Sequence, residues 1–97
     1  MFAAAQRFAI YELHKKRLHL LSMAVLPEFR GRGVGRTLVE QLIGKLSLQR
    51  NKLSLEVRET NLGAQLFFRR LGFNAISVLR DFYEETSEDA YLMQFEV

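Results

Sequence analysis

VLPEFRGRGVGRT, residues 25–37, packs three glycines and three arginines into the seven positions from Arg30 to Arg36. Just before it stands the apolar run RLHLLSMAV (17–25), and Pro27 ends that run because proline cannot donate to a strand ladder. Just after it, Val34, Leu38, Val39, Leu42, Ile43 and Leu46 recur at helical spacing, which predicts a helix over 34–49. Strand, glycine loop and helix in that order form a general recipe for holding phosphate. A helix N-terminus leaves four backbone N–H groups free and carries partial positive charge, and glycines let a ligand come close to them. Glycines alone serve a tight turn with solvated arginines equally well. Neither common nucleotide motif fits. The G-x-G-x-x-G pattern, started at Gly31 and Gly33, meets Arg36, and the G-x-x-x-x-G-K-[ST] pattern finds Arg30 and Arg36 where it needs glycine and lysine.

Working outward, QRFAIYEL (6–13) and RLHLLSMAV (17–25) read as an antiparallel hairpin about His14-Lys15-Lys16. The second strand is apolar both ways, with Leu18 and Leu20 on one face and Leu21, Met23 and Val25 on the other, as an interior strand would be. KLSLEVR (52–58) alternates, turning Leu53, Leu55 and Val57 one way and Ser54, Glu56 and Arg58 the other. Thr60 or Asn61 caps a second helix that runs to Leu71 and stops at Gly72. Strands follow at about 73–80 and 89–96, joined by the acidic segment DFYEETSED. The reading is one domain over 1–97 in the order β-β-α-β-α-β-β. It is an α/β (α+β) fold on a mixed, mostly antiparallel sheet, since a central strand-helix-strand crossover implies a parallel pairing.

The absence of cysteine excludes disulfides, thiolate metal sites and a cysteine nucleophile. His14 and His19 have no second histidine or carboxylate at ligand spacing, so no metal is expected. No membrane-spanning segment and no secretory leader are read, and the expected setting is cytoplasmic. The net charge of +3 hides an asymmetry: residues 1–80 carry all fourteen Lys and Arg against five acids, whereas residues 81–97 carry six acids and no Lys or Arg. That pattern suggests differently charged ligands at the two ends, with no motif for specific nucleic-acid binding.

Three segments, in order, resemble one family. Arg30-x-x-Gly33-x-Gly35, preceded by Ala24-Val25-x-Pro27, looks like the acetyl-CoA loop of the GNAT superfamily of N-acetyltransferases. N-x-x-A-x-x-F-F-x-x-L-G-F, from Asn61 to Phe73, resembles that superfamily's second cofactor segment. LRDFYEETSEDAYLM (79–93) is similar to the ribosomal-protein N-terminal alanine acetyltransferases. The resemblance implies acetyl transfer from acetyl-CoA to an amine, a protein N-terminal α-amine above all. A non-catalytic acetyl-CoA-binding module, or an incomplete domain needing a partner, is the alternative.

By the same resemblance, the pyrophosphate would lie on Arg30, Gly31, Arg32, Gly33, Val34, Gly35 and Arg36. Main-chain groups of Met23, Ala24 and Val25 would hold the pantetheine arm, with the Val25 N–H facing the thioester oxygen and Asn61 and Phe68 flanking the reactive end. Glu56 would be the general base. The family's general-acid tyrosine is replaced by Phe68, which has no proton to give, so Tyr83 becomes the candidate donor. By helical spacing Phe67 is core. Residues Asp81 to Asp89, with Glu84, Glu85 and Glu88 among them, are expected to receive a cationic N-terminus. Family members usually place a strand and two helices before the hairpin. Their absence here predicts an uncovered hairpin edge and a homodimer.

Overall fold

The structure, a computed structural model, describes residues 2–6, 9–23 and 33–97, with the side chains of 9–21 and 33–97. The chain forms two compact units, one comprising 1–53 and Val97, the other 54–96.

The first unit holds β1 (Phe2–Gln6), β2 (Ala9–Leu13), β3 (Arg17–Met23) and α1 (Val34–Ile43). β2 and β3 form the expected hairpin, antiparallel from Ala9↔Met23 to Leu13↔Leu18 with an irregularity at Ile10/Tyr11, and the His14 N–H to Arg17 carbonyl bond of 2.9 Å closes its turn. β1 was not anticipated. It pairs antiparallel along all of β2, from Phe2↔Leu13 to Gln6↔Ala9, so the hairpin edge expected to be bare is covered by the chain itself. Three consecutive alanines give no strand signal of their own, and the backbone ladder rather than side-chain preference makes this strand.

Along β3, Leu18, His19 and Leu20 are all buried while Leu21 is 50% exposed, so its second face is covered at His19 but not at Leu21. α1 buries Leu38, Val39 and Leu42. It is shorter than its apolar period suggests, ending at Gly44 instead of about residue 49. Beyond Gly44 the chain turns, with Lys45 N–H to Leu42 carbonyl and Leu46 N–H to Ile43 carbonyl bonds of 3.0 Å. The Arg50 Nε–H then ties the segment to the His14 carbonyl at 2.6 Å. Leu46 continues the spacing but not the helix, because glycine carries the highest backbone entropy of any residue.

β4 (Lys52–Arg58) begins in the first unit and supplies Ser54–Arg58 to the second, which also contains α2 (Leu62–Arg70), β5 (Asn74–Tyr83) and β6 (Glu88–Glu96). Within it β6 lies between β4 and β5. β5 and β6 are antiparallel, from Asn74↔Gln94 to Tyr83↔Glu88, with irregularities between Ala75 and Ser77 and between Leu79 and Tyr83.

The second helix is bounded as the sequence indicates. Asn61 caps it, its Oδ1 accepting the Ala64 N–H at 3.1 Å, an interaction of about 1 kcal/mol. At the other end the Gly72 N–H bonds the Arg69 carbonyl and the Phe73 N–H bonds the Phe68 carbonyl, both at 3.0 Å. These two bonds make a Schellman termination, which needs a left-handed residue, and Gly72 has φ +97°. The reversal delivers Phe73, 1% exposed, between Phe68 and Phe95, with ring centroids 5.3 and 5.7 Å away. A Cβ on Gly72 would stand 3.2 Å from the Phe95 ring. Gly72→Ala is therefore expected to lower stability by about 1–3 kcal/mol, seen as a reduced urea midpoint with unchanged slope.

Candidate active site

The expected cofactor loop falls largely outside the described residues: Ala24, Val25, Arg30, Gly31 and Arg32 all lie there. Met23 is the last residue of β3. Gly33 is the N-cap of α1 at φ 76°, and no side chain caps this helix. The Gly33 carbonyl accepts both the Thr37 N–H and the Thr37 Oγ1–H at 2.9 Å, so the first α-helical bond is in place. The N–H groups of Val34, Gly35 and Arg36 precede that bond and have no partner within the helix. Among the described residues nothing lies within 4 Å of where a Gly33 Cβ would be. A phosphate-bearing ligand would suit this end, since no acid sits in its first turn. Arg36 makes a solvent-exposed i,i+4 ion pair with Glu40 at 3.3 Å.

The second unit gathers the reacting groups. Leu55 and Val57 are buried, which turns Glu56 and Arg58 together to the other side of β4, where both are half-buried. That side is not a simple solvent face, since Ser54 on it is 1% exposed. Tyr83 ends β5 and comes close enough to Glu56 to feel its charge. Burial lifts the phenol pKa above its usual value, Arg58 pulls it back, and Glu56, Glu88 and Glu85 each push it up. A phenol is already protonated at neutral pH, and the rise keeps it so while making it a weaker acid. The two catalytic candidates thus share one neighbourhood.

Arg58 gives that neighbourhood its form, although no role for it was expected from the sequence. Its Nη1–H donates to Glu88 Oε1 at 3.0 Å and to Thr86 Oγ1 at 3.2 Å, and its Nη2–H donates to Glu85 Oε1 at 3.0 Å. Its guanidinium carbon stands 3.8 Å from the centre of the Tyr83 ring. The available signal was an arginine two residues beyond Glu56 on the same face of the strand, in a chain whose acids crowd into the last segment.

The acidic segment is consequently less free than its composition suggests. Glu85 and Glu88 are engaged by Arg58, and Asp89 by Arg80 at 2.8 Å. Glu88 Oε2 also accepts the Thr60 hydroxyl at 2.5 Å, and Asp89 Oδ1 accepts the Asp81 N–H at 2.9 Å. All three carboxyls are held below their usual pKa range: Glu85 first by its own backbone N–H and then by Arg58, Glu88 first by Thr60, Asp89 first by the Asp81 N–H.

The remaining two expectations concern α2. Asn61 spends its side-chain oxygen on the helix cap, and Phe68 is buried at 7% exposure against Phe67 and Phe73. The burial expected at Phe67 is found at Phe68, while Phe67 is half-buried.

A family model described as the acetyltransferase (GNAT) family matches residues 3–73. The chain belongs to that family. Glu56 lies within the matched residues and Tyr83 beyond them. The [Ribosomal protein bS18]-alanine N-acetyltransferase of Salmonella typhimurium is 38% identical over 89 residues, which make up 89% of this chain and 60% of that protein. The crystal structure of the ribosomal-protein-S18-alanine N-acetyltransferase from Escherichia coli superposes with a TM-score of 0.81 at 34% identity, covering 92% of this chain and 59% of that one. A GNAT family acetyltransferase from Elizabethkingia anophelis, crystallised with acetyl-CoA bound, matches in fold with a TM-score of 0.81 at 17% identity, over 95% of this chain and 70% of that one. The fold is thus the mixed α+β fold of these acetyltransferases, and the chain spans about 60% of the length of the bS18-modifying relative. No helix among the described residues is long and apolar enough to cross a membrane, and no cluster of His, Asp and Glu there could hold a metal ion.

The depressed carboxyl pKa values set a pH dependence. A carboxyl with a lowered folded pKa contributes stability that is complete above its unfolded value, about 4.3 for Glu, and lost as pH falls through the folded value. Glu88→Gln should lower the melting temperature at pH 7, and calorimetry should show the gap from wild type closing below about pH 4. A gap that stays constant into acid would mean that ion pairing is not its source.

Proposed function

We propose that the chain transfers acetyl from acetyl-CoA to the N-terminal α-amine of a protein, such as a ribosomal protein, in the cytoplasm. The observation that carries this reading is the placement of Glu56 and Arg58 on one face of β4 with the Arg58 guanidinium carbon 3.8 Å from the Tyr83 ring, in a member of an acetyltransferase family. The open N-terminus of α1 would receive the phosphates of acetyl-CoA, which supplies the acetyl thioester. Within the second unit, Glu56 would take a proton from the attacking amine through water, and Tyr83 would give one to the departing sulfur. Amine nitrogen bonds to the acetyl carbon as the carbon–sulfur bond breaks, so protons and electrons balance without an acyl-enzyme.

Energetics favour an α-amine as acceptor. With a pKa of about 7.7–8.0 it costs about 1 kcal/mol to deprotonate at pH 7, against about 4.6 kcal/mol for lysine at about 10.4. Modest acid–base equipment suffices for the first and not for the second.

A calorimetric titration of acetyl-CoA into the folded chain should show micromolar binding, abolished in Gly33→Glu. In a turnover assay on peptides varied at the first residue, Glu56→Gln should lose about a hundredfold or more in kcat while acetyl-CoA affinity holds. Peptides blocked at the α-amine but carrying lysine should not react. Binding without turnover on any peptide would identify an acetyl-CoA-binding module instead, and equal turnover by wild type and Glu56→Gln would remove Glu56 from the mechanism.

Self-association is part of the proposal on a different ground from the hairpin edge, which β1 covers. β5 ends the strand order of its unit and exposes Ile76, Val78 and Phe82 at 52%, 44% and 44%. Sedimentation at tens of micromolar should reveal a dimer that Val78→Lys dissociates; a monomeric wild type would remove this part of the reading.

A further inference from the structure

We propose that Arg58 is the positioning residue of the acceptor side: its guanidinium clamps the turn 84–87 and holds the Tyr83 ring beside Glu56. The proposal rests on the acetyl-transfer reading for its kinetic consequences, but not for its geometry.

Arg58 is anchored at its own base. Its carbonyl accepts the Gln65 side-chain amide at 3.1 Å, and the next residue, Glu59, bonds through its N–H to the Asp89 carbonyl at 3.0 Å. The side chain therefore leaves from a backbone fixed to both α2 and β6. Its planar fork reaches Glu85, Thr86 and Glu88, while its face lies on Tyr83. Five fixed donors and a flat, weakly hydrated face allow all four contacts at once, which an ammonium cannot do.

The strand ladder holds Tyr83 only through its last pair, with Glu88. Between the pairs Leu79↔Ala90 and Tyr83↔Glu88, β5 advances four residues while β6 advances two. Asp81 within this excess has φ 49°, and Ser87 in the turn has φ 56°. The turn's own bond, Thr86 N–H to Tyr83 carbonyl, is 3.2 Å long. Past this bulged strand end the Tyr83 ring is met by the Arg58 guanidinium and, edge-on at 5.0 Å, by the Phe82 ring.

Arg58 also sets the charge an acceptor amine would meet. The charged and titratable groups here are Glu56 and Arg58 on β4, Tyr83 on β5, and Glu85 and Glu88 in and after the turn. Glu59 is turned to the Asp89 N–H at 3.2 Å, and Asp89 is paired with Arg80. Arg58 pairs with Glu85 and Glu88, two of the carboxylates whose charge reaches Tyr83. Without it, Glu85 and Glu88 would stabilise an incoming ammonium in its unreactive, protonated form.

The test compares wild type, Arg58→Met, Arg58→Lys, Tyr83→Ala, the double variant Arg58→Met/Tyr83→Ala, and Arg80→Met, which breaks the neighbouring ion pair of the same hairpin. For peptide N-acetylation, Arg58→Met should lose on the order of ten- to a hundredfold in peptide kcat/KM through a raised peptide KM. The KM for acetyl-CoA should stay within about twofold, and the acidic limb of the pH profile should move to higher pH. Arg58→Lys should restore the limb but not the KM. The double variant should be no worse than the poorer single variant, and Arg80→Met should behave as wild type.

Losses that multiply in the double variant, an acetyl-CoA KM that rises in step, or an equal loss in Arg80→Met would overturn the proposal. A second readout does not involve turnover. In NMR spectra of the folded chain, Arg58→Met should move the Tyr83 ring signals toward those of free tyrosine and loosen the amides of 84–87, and Arg80→Met should do neither. If wild type acetylates no peptide, the proposed function fails, while the ring and amide signals still decide whether Arg58 is the clamp.

Discussion

Side chains alternate along a strand, and the burial of Leu55 and Val57 therefore leaves Glu56 and Arg58 only one face to occupy. The second unit is arranged around this constraint. A one-residue slip of β4 would send the carboxylate and the guanidinium into the apolar side and strand two charges without partners. Each buried leucine or valine is worth about 1.5–3 kcal/mol, so the register is held by the core, not by the polar groups whose positions it determines. The ion pairs add direction to what burial has already placed, in keeping with the small net worth of exposed pairs.

Much of this was readable where the signal is local. The alternation of KLSLEVR, the Asn61 cap and the glycine stop of α2 each lie within a few residues of their effect, and each appears in the structure where the sequence puts it. Signals failed where a distant partner or a competing local preference decided. Leu46 keeps the helical period past Gly44, yet the helix does not follow. The alanines of β1 form a strand because β2 offers a ladder, which composition cannot reveal. The role of Arg58 was invisible for the same reason, since its carboxylate partners stand 27 and 30 residues away.

Phe68 shows how a site and a core compete for one position. Its ring forms an edge contact at 5.3 Å with Phe73, which the Schellman turn drives inward. An aromatic pair of this kind is worth about 0.5–1.5 kcal/mol beyond the area it buries. A phenol hydroxyl in the same place would need a buried partner or an outlet to water. Expelling a thiolate unprotonated at pH 7 costs about 2 kcal/mol from a thiol pKa of about 8.5. Packing and proton donation are therefore of similar size, and the proposed donor Tyr83 would satisfy both.

The charge asymmetry of the chain finally takes a different meaning. Six acids without a compensating Lys or Arg after residue 80 suggest an open anionic surface for a cationic peptide end. In the structure Arg58 and Arg80 reach into that segment from outside it and engage Glu85, Glu88 and Asp89. On the proposed function, a site that must deprotonate its acceptor would gain from this. Strong uncompensated acid would bind the ammonium tightly and raise its pKa together, trading reactivity for affinity. On the proposed function, a guanidinium among the carboxylates would keep the field mild and leave recognition of the acceptor to the shape of the turn and the ring beside it.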